Sequence, residues 1–188
     1  LSKEKFLTLD NSKDQEGWTI KFREDPIFLD PRSKNLGARL IINLEKLYLS
    51  LKKLELKTAN VEDYYRHSHE LGISQIDNQN LQNKIFGIEC NFEELNGIDF
   101  KKGCYVGQEN TTRIKLKEKL NNRLFAIKVL EGKINSEEII LEDKEIGKLL
   151  INNQNPFALI KFQNNKFNFD DIYKCGNAII KVQKPEWL

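Results

Sequence analysis

Among the 188 residues of this chain, Lys102-Gly103-Cys104-Tyr105-Val106-Gly107-Gln108-Glu109 is the stretch whose residue types and spacing most invite chemistry. Two glycines bracket Cys104, Tyr105 and Val106, and a helical pattern begins just after them. Glycine permits positive φ and close backbone approach, so it suits a tight turn that aims a side chain into a cleft. A helix N-terminus exposes unpaired amide hydrogens, which favour anions and lower the pKa of a nearby thiol. Cys104 is therefore a candidate reactive thiol. On spacing alone, a buried structural cysteine in a turn weighs at least as much.

Other chemistry-bearing residues carry less. Cys90, Cys104 and Cys175 are odd in number, scattered, and form no C-x-x-C pair, which points to thiols in a reducing compartment, the cytosol first. Cys175 falls among strand-like runs and reads as structural. His67 and His69 lie two apart on a predicted helix, roughly 200° apart around its axis, so surface histidines are expected. The adjacent pairs Glu93-Glu94 and Glu137-Glu138 point in different directions, and Gly147-Lys148 lacks the upstream glycine loop of a nucleotide site. Lys115-Leu116-Lys117-Glu118-Lys119 is expected to be a solvated helix end rather than a docking surface.

Composition narrows the class. Hydrophobic residues make up 39% and charged residues 31%, the range of ordinary folded domains. Thirty basic residues against 28 acidic ones leave a formal charge of +2, which supplies no general drive toward nucleic acid or an anionic membrane. No run approaches the roughly 18 apolar residues of a membrane span, and the N-terminus lacks the apolar core of a signal peptide. The chain has no Met, so a fragment, a processed product or a sequence from which methionines have been dropped is expected.

The elements that must position Cys104 follow from periodicity. Alternation over 18–23 predicts a strand; Pro26 is expected to interrupt before a second at 27–29, and Asp30-Pro31 to end it. A third is expected over 38–43, entered through Gly37. Leu44, Leu47, Tyr48, Leu51 and Leu54 recur at helical steps and predict a helix over 44–57 that puts them on one face. Asn60 is expected to cap a second helix that Gly72 stops. Asn91 is expected to cap a short helix over 92–95, ended by Gly97, and a longer helix is expected over 108–120. Beyond Asn121, strand-like runs at 124–130, 138–141, 146–151, 157–162 and 178–182, separated by turn signals such as Glu131-Gly132, Asp143-Lys144, Asn152-Asn153 and Asn164-Asn165, predict a small β sandwich or barrel. The expected class is α+β, with domains at 1–120 and 121–188.

The octet resembles the K-G-C-Y-x-G-Q-E signature of YgfZ-type folate-binding proteins, relatives of the glycine-cleavage T-protein. Asp30-Pro31-Arg32 followed by Leu36-Gly37-Ala38-Arg39 resembles that family's D-P-R…L-G-x-R stretch. Arg123-Leu124 resembles the start of its last domain, and Pro185-Glu186-Trp187-Leu188 its terminal P-x-W. The resemblance implies a ferredoxin-like central domain followed by a C-terminal β-barrel, with the family's N-terminal part absent from this sequence. It implies a cofactor, tetrahydrofolate or a derivative, gripped by Glu89, since one carboxylate accepts two hydrogen bonds from a pterin edge. Without the resemblance Glu89 would read as a solvent-facing loop residue. Arg113 and Arg123 are candidates for the folate carboxylates. Lys102, Tyr105, Gln108 and Glu109 join Cys104 in a site whose reaction the resemblance leaves open: uptake of a sulfur or one-carbon unit, or transient contact with an iron–sulfur cluster. Three scattered cysteines do not fill a four-thiolate shell, so stable cluster binding by one copy is not expected.

Two functional classes follow. One is a folate-binding accessory protein for iron–sulfur protein maturation and tRNA modification, whose partners are reduced folate and iron–sulfur assembly or client proteins, in cytoplasm or, in a eukaryote, the mitochondrial matrix. The other is an aminomethyltransferase of the glycine-cleavage type, from whose pattern the Gly-Cys-Tyr-x-Gly-Gln-Glu segment departs. Whether the chain is an enzyme stays open between them. Direct RNA binding is the least favoured, given the near-neutral charge.

Overall fold

The computed structural model describes residues 19–22, 25–53, 55–75, 81–104, 106–116, 120–162 and 167–188. Trp18, Arg23, Leu54, Tyr105, Lys117, Glu118, Lys119 and the Asn164-Asn165 turn lie outside them. By internal contacts the chain divides into Leu1–Tyr64 and Tyr65–Leu188.

In the first unit, β1 (Thr19–Phe22), β2 (Asp25–Leu29) and β3 (Ala38–Leu40) form an antiparallel sheet in sequence order. Pro26 does not separate two strands as expected; it lies inside β2, opposite Lys21. A proline is tolerated so near a strand's start, and its carbonyl still accepts the Ile41 amide at 3.1 Å. The third strand ends at Leu40 rather than Asn43. Helix α1 (Leu44–Lys53) stops earlier than predicted, because Glu55 turns to positive φ and the Leu56 amide bonds back to the Leu51 carbonyl at 3.0 Å. Its apolar face is not buried: Leu44 is 80% and Tyr48 69% exposed, and the one buried side chain is Ser50. Periodicity identifies a face without saying what covers it.

Helix α2 (Val61–Glu70) begins and ends where its punctuation predicts. Asp63 accepts the Asn60 amide, and beyond the last turn Gly72 adopts φ +72 while the Ile73 amide bonds to the Ser68 carbonyl at 2.9 Å. Glycine is required at 72 twice over, since a Cβ there would lie 2.8 Å from the Pro185 side chain. Next to that contact, Trp187 Nε1 donates to the Leu71 carbonyl at 3.0 Å. His67 is exposed, but His69 is not the surface residue that spacing suggested. It is buried edge-on against Phe157 and bonded to the Pro156 carbonyl at 3.0 Å. Burial pushes its pKa down, partly opposed by backbone carbonyl bonds.

The second unit is dominated by six antiparallel strands, β4 (Asn122–Glu131), β5 (Glu138–Leu141), β6 (Lys144–Ile151), β7 (Phe157–Lys161), β8 (Tyr173–Cys175) and β9 (Ala178–Val182), closed in the order β4-β7-β6-β5-β8-β9. The molecule is thus α+β with a C-terminal barrel. Strand β8, only three residues long, carries too little pattern to be legible in the sequence. Glu142 and Asp143, both at positive φ, form the two-residue turn that joins β5 to β6. Alternation on β4 sends Phe125 and Ile127 into the barrel core with Ile139, Ile146, Ile160 and Ile180. Leu124 and Ala126 face outward, yet are equally buried, under Leu81 and Cys90. That outer layer ties the candidate site to the barrel. Cys175 lies in the inner core, its thiol 3.1 Å from the Ser136 carbonyl. Among the described residues no helix is long and apolar enough to cross a membrane.

Candidate functional site

The first half of β4 pairs with β7 along one edge, but β9 covers the other edge only from Ile127 onward, so that edge needs other hydrogen-bond partners. The Glu89-Cys90-Asn91 turn supplies them. The Leu124 amide donates to the Glu89 carbonyl at 2.8 Å, and Asn91 Nδ2 donates to the Leu124 carbonyl at 2.7 Å. Asn91 is 2% exposed and at φ +62, a conformation that asparagine tolerates better than most residues. It therefore does not cap a helix over 92–95; the segment 87–97 is a run of turns, and the Asn91 side chain is engaged with the barrel.

Of the three candidate folate residues, Glu89 and Arg123 adjoin this anchor. Glu89 is half-buried, one carboxylate oxygen accepting the Phe86 amide at 3.0 Å and the other Asn122 Nδ2 at 3.2 Å. Arg123 Nη1 bonds to Asn91 Oδ1 at 3.2 Å and pairs with the Glu94 carboxylate, while its guanidinium lies 5.8 Å from the Phe162 ring centroid. Arg113 stands exposed on α3 (Gln108–Leu116). Cys90 is buried; desolvation, with the Glu89 charge beside it, pushes its thiol up to about 11. It lines a shallow cavity of about 440 Å³ with Leu81, Gln82, Asn83, Ile85, Gly87 and Phe92.

Cys104 is placed in the opposite circumstances. Lys101, Lys102, Gly103, Cys104, Val106 and Gly107 are all exposed, and Val106 wholly so. The alternative of a buried structural cysteine at 104 does not hold. A Cβ at Gly103 or Gly107 would meet nothing within 4 Å, so neither glycine is there for close packing. At Gly107 the requirement is conformational, φ +87 just before the first turn of α3. Glu109 sits exposed in that first turn and Gln108 half-buried beside it. Tyr105 lies outside the described residues.

Helix α3 has no fully buried residue. Lys115 ties it to the preceding turns: Nζ lies 2.8 and 2.7 Å from the two carboxylate oxygens of Glu93 and 5.6 Å from the Phe100 ring centroid. The described residues 101–104, 106 and 107 thus lie in sequence between a turn bonded to β4 and a helix whose Lys115 pairs with Glu93. Glu93 and Lys115 are 22 positions apart and carried no local signal; Asn91 was visible only as a cap. Among the described residues no hydrogen bond links the 89–91 turn to Cys104. None of them groups three or more His, Cys, Asp or Glu side chains as a metal site.

Fold and site together define an α+β chain in which an exposed, glycine-hinged cysteine loop follows a turn docked on a six-stranded barrel. No family model matches the chain. It is 33% identical over 119 residues to the iron-sulfur cluster assembly factor IBA57 homolog, mitochondrial, of Dictyostelium discoideum, covering 62% of this chain and 29% of that protein. It is 31% identical over 117 residues to IBA57, mitochondrial, of Mus musculus, covering 62% and 30%. With the tRNA-modifying protein YgfZ of Buchnera aphidicola subsp. Baizongia pistaciae it shares 38% identity over 88 residues, covering 44% and 26%. The chain spans less than a third of the length of these curated relatives. Over these stretches it is homologous to proteins named IBA57 and YgfZ.

Proposed function

We propose that this chain is the thiol-presenting part of a folate-binding accessory protein that supports iron–sulfur cluster assembly and tRNA modification. The carrying observation is the contrast among its three cysteines: Cys90 and Cys175 are buried, and Cys104 is exposed on the glycine-hinged loop. The roles named for its relatives, iron-sulfur cluster assembly and tRNA modification, support the same reading, as does the mitochondrial setting named for the IBA57 proteins.

In this reading Cys104 offers its sulfur to a protein partner, or to a cluster in transit between partners, with Lys102 and Glu109 setting the charge around it. A lone exposed thiolate is one ligand of the four a common cluster needs, so the cluster is cargo completed by a partner. Tyr105 and Gln108 complete the motif. The residues present fit a reduced folate to this extent: Glu89 is a half-buried carboxylate whose oxygens, each accepting one bond, retain lone pairs for a pterin edge. Of the two arginines Arg113 is exposed, whereas Arg123 would first have to leave Glu94 to meet the folate carboxylates. A bound tetrahydrofolate supplies one-carbon carrying capacity. The protein's part is to hold Glu89 on β4 through the Leu124 bonds and to keep the 101–107 loop clasped nearby in sequence. A ferredoxin-like arrangement of the segment before the barrel belongs to the same proposal.

Calorimetry of the full-length protein with a reduced folate tests the binding half. Saturable binding, weakened at least tenfold by Glu89→Gln with little change in melting temperature, is the expected outcome. No heat of binding, or equal affinity in the variant, rejects the assignment.

A further inference from the structure

The Asp30-Pro31-Arg32…Arg39 stretch has no part in the site above, yet it gathers two arginines on one buried carboxylate. The tight turn Lys34–Leu36 and Gly37, at φ +85, reverse the chain, and the Asp30 amide closes the loop on the Gly37 carbonyl at 2.9 Å. Two arginines seven positions apart thereby reach one carboxylate. Asp30 is 1% exposed. Arg32 by itself satisfies it: its amide and Nε each donate to Oδ1 at 3.0 Å, and Nη2 donates to Oδ2 at 2.9 Å. Nη2 also reaches the Tyr64 hydroxyl at 2.7 Å.

Arg39 is the surplus. Its Nε donates to Asp30 Oδ2 at 2.6 Å, and its side chain is 48% exposed. Among the described residues no hydrogen bond engages its Nη atoms or Arg32 Nη1. A structural ion pair needs one guanidinium. A second adds like-charge repulsion and the entropy of ordering a long side chain, and it leaves the cluster one positive charge in excess, with Lys34 in the same turn. The Nε bond fixes the plane of the guanidinium, and on a side chain that is 48% exposed the N–H donors of its outer edge form the fork that matches two oxygens of an anion. We propose that Arg39, oriented by buried Asp30 and flanked by Arg32, is a binding site for an oxyanion group, the phosphate or carboxylate of a small ligand.

The test follows the Nε resonances of Arg32 and Arg39 in the isotopically labelled full chain, titrated with sodium phosphate and separately with sodium acetate at constant ionic strength set by chloride. A saturable shift at Arg39 in one arm identifies the source of the oxyanion. The melting temperature should rise in the same arm, and Arg39→Gln should abolish that rise while melting normally in chloride. Arg39→Lys keeps the charge but loses the fork and should bind about tenfold more weakly. No saturable shift in either arm overturns the proposal, as does an equal rise in Arg39→Gln, which would reduce the effect to general salting-out. Should Arg39→Gln fail to fold, the resonance titration of the unaltered chain still decides.

Discussion

Two turns fourteen residues apart, each centred on a cysteine, are built on opposite terms. The Glu89-Cys90-Asn91 turn is bonded to the barrel through both backbone polar groups of Leu124, and its sulfur is buried under apolar side chains. The 101–107 loop has no packing partner at either glycine, and its sulfur is open to solvent. In the proposed function, the first turn provides the reference position and the second presents the thiol. A thiol that must meet a partner has to be exposed, while the exposed loop needs a fixed neighbour to define where it is. The Lys115–Glu93 clasp joins the two.

The anchored turn should break hardest. Asn91→Ala removes two hydrogen bonds, leaves the Leu124 carbonyl bare, and puts a Cβ residue without a polar side chain at φ +62. A loss of about 3 kcal/mol in urea unfolding is expected, and a loss below about 1 kcal/mol would mean that the turn is not the anchor.

Alkali should act on the same turn. The Cys90 thiol sits at about 11 in the fold against 9.0 in the open chain, so its contribution is complete below pH 9 and is lost as pH rises toward 11. The two-unit difference amounts to about 2.5 kcal/mol at the top of that window. The difference in unfolding free energy between the native sequence and Cys90→Ala should therefore change between pH 8 and pH 11. A pH-independent difference contradicts the burial of this thiol.

The clasp should matter less to stability and more to order. Both partners are partly exposed, so Lys115→Ala should cost about 0.5 to 1 kcal/mol, less in high salt. Its distinctive signature is faster amide exchange over 101–107 with unchanged exchange in β4. Smallest of all, Cys104→Ser should move stability by no more than about 0.5 kcal/mol, since nothing packs on that sulfur, while abolishing function in cells. A large loss of stability there would return Cys104 to a structural role.

The barrel was largely legible in advance because its signals are local. Alternation, the Asp143-Lys144 region and Glu131-Gly132 mark strands and turns within a few residues of one another. Gly72 marked the end of α2 for the same reason. What escaped depended on distant neighbours. His69 and Asn91 look like surface and capping residues until β7 and β4 arrive beside them, and Lys115 meets Glu93 across 22 positions. The face of α1 shows the converse: its period was readable, but exposure of Leu44 and Tyr48 was not, because periodicity carries no information about cover. The octet around Cys104 stood out as a string, whereas its exposure required the fold.

The most direct test is a thiol footprint of the folded protein at pH 8 with a small alkylating reagent, read by mass spectrometry. Cys104 should be modified completely while Cys90 and Cys175 stay protected until denaturant is added. Protection of Cys104, or equal labelling of Cys90, would contradict the division of labour on which the functional account stands.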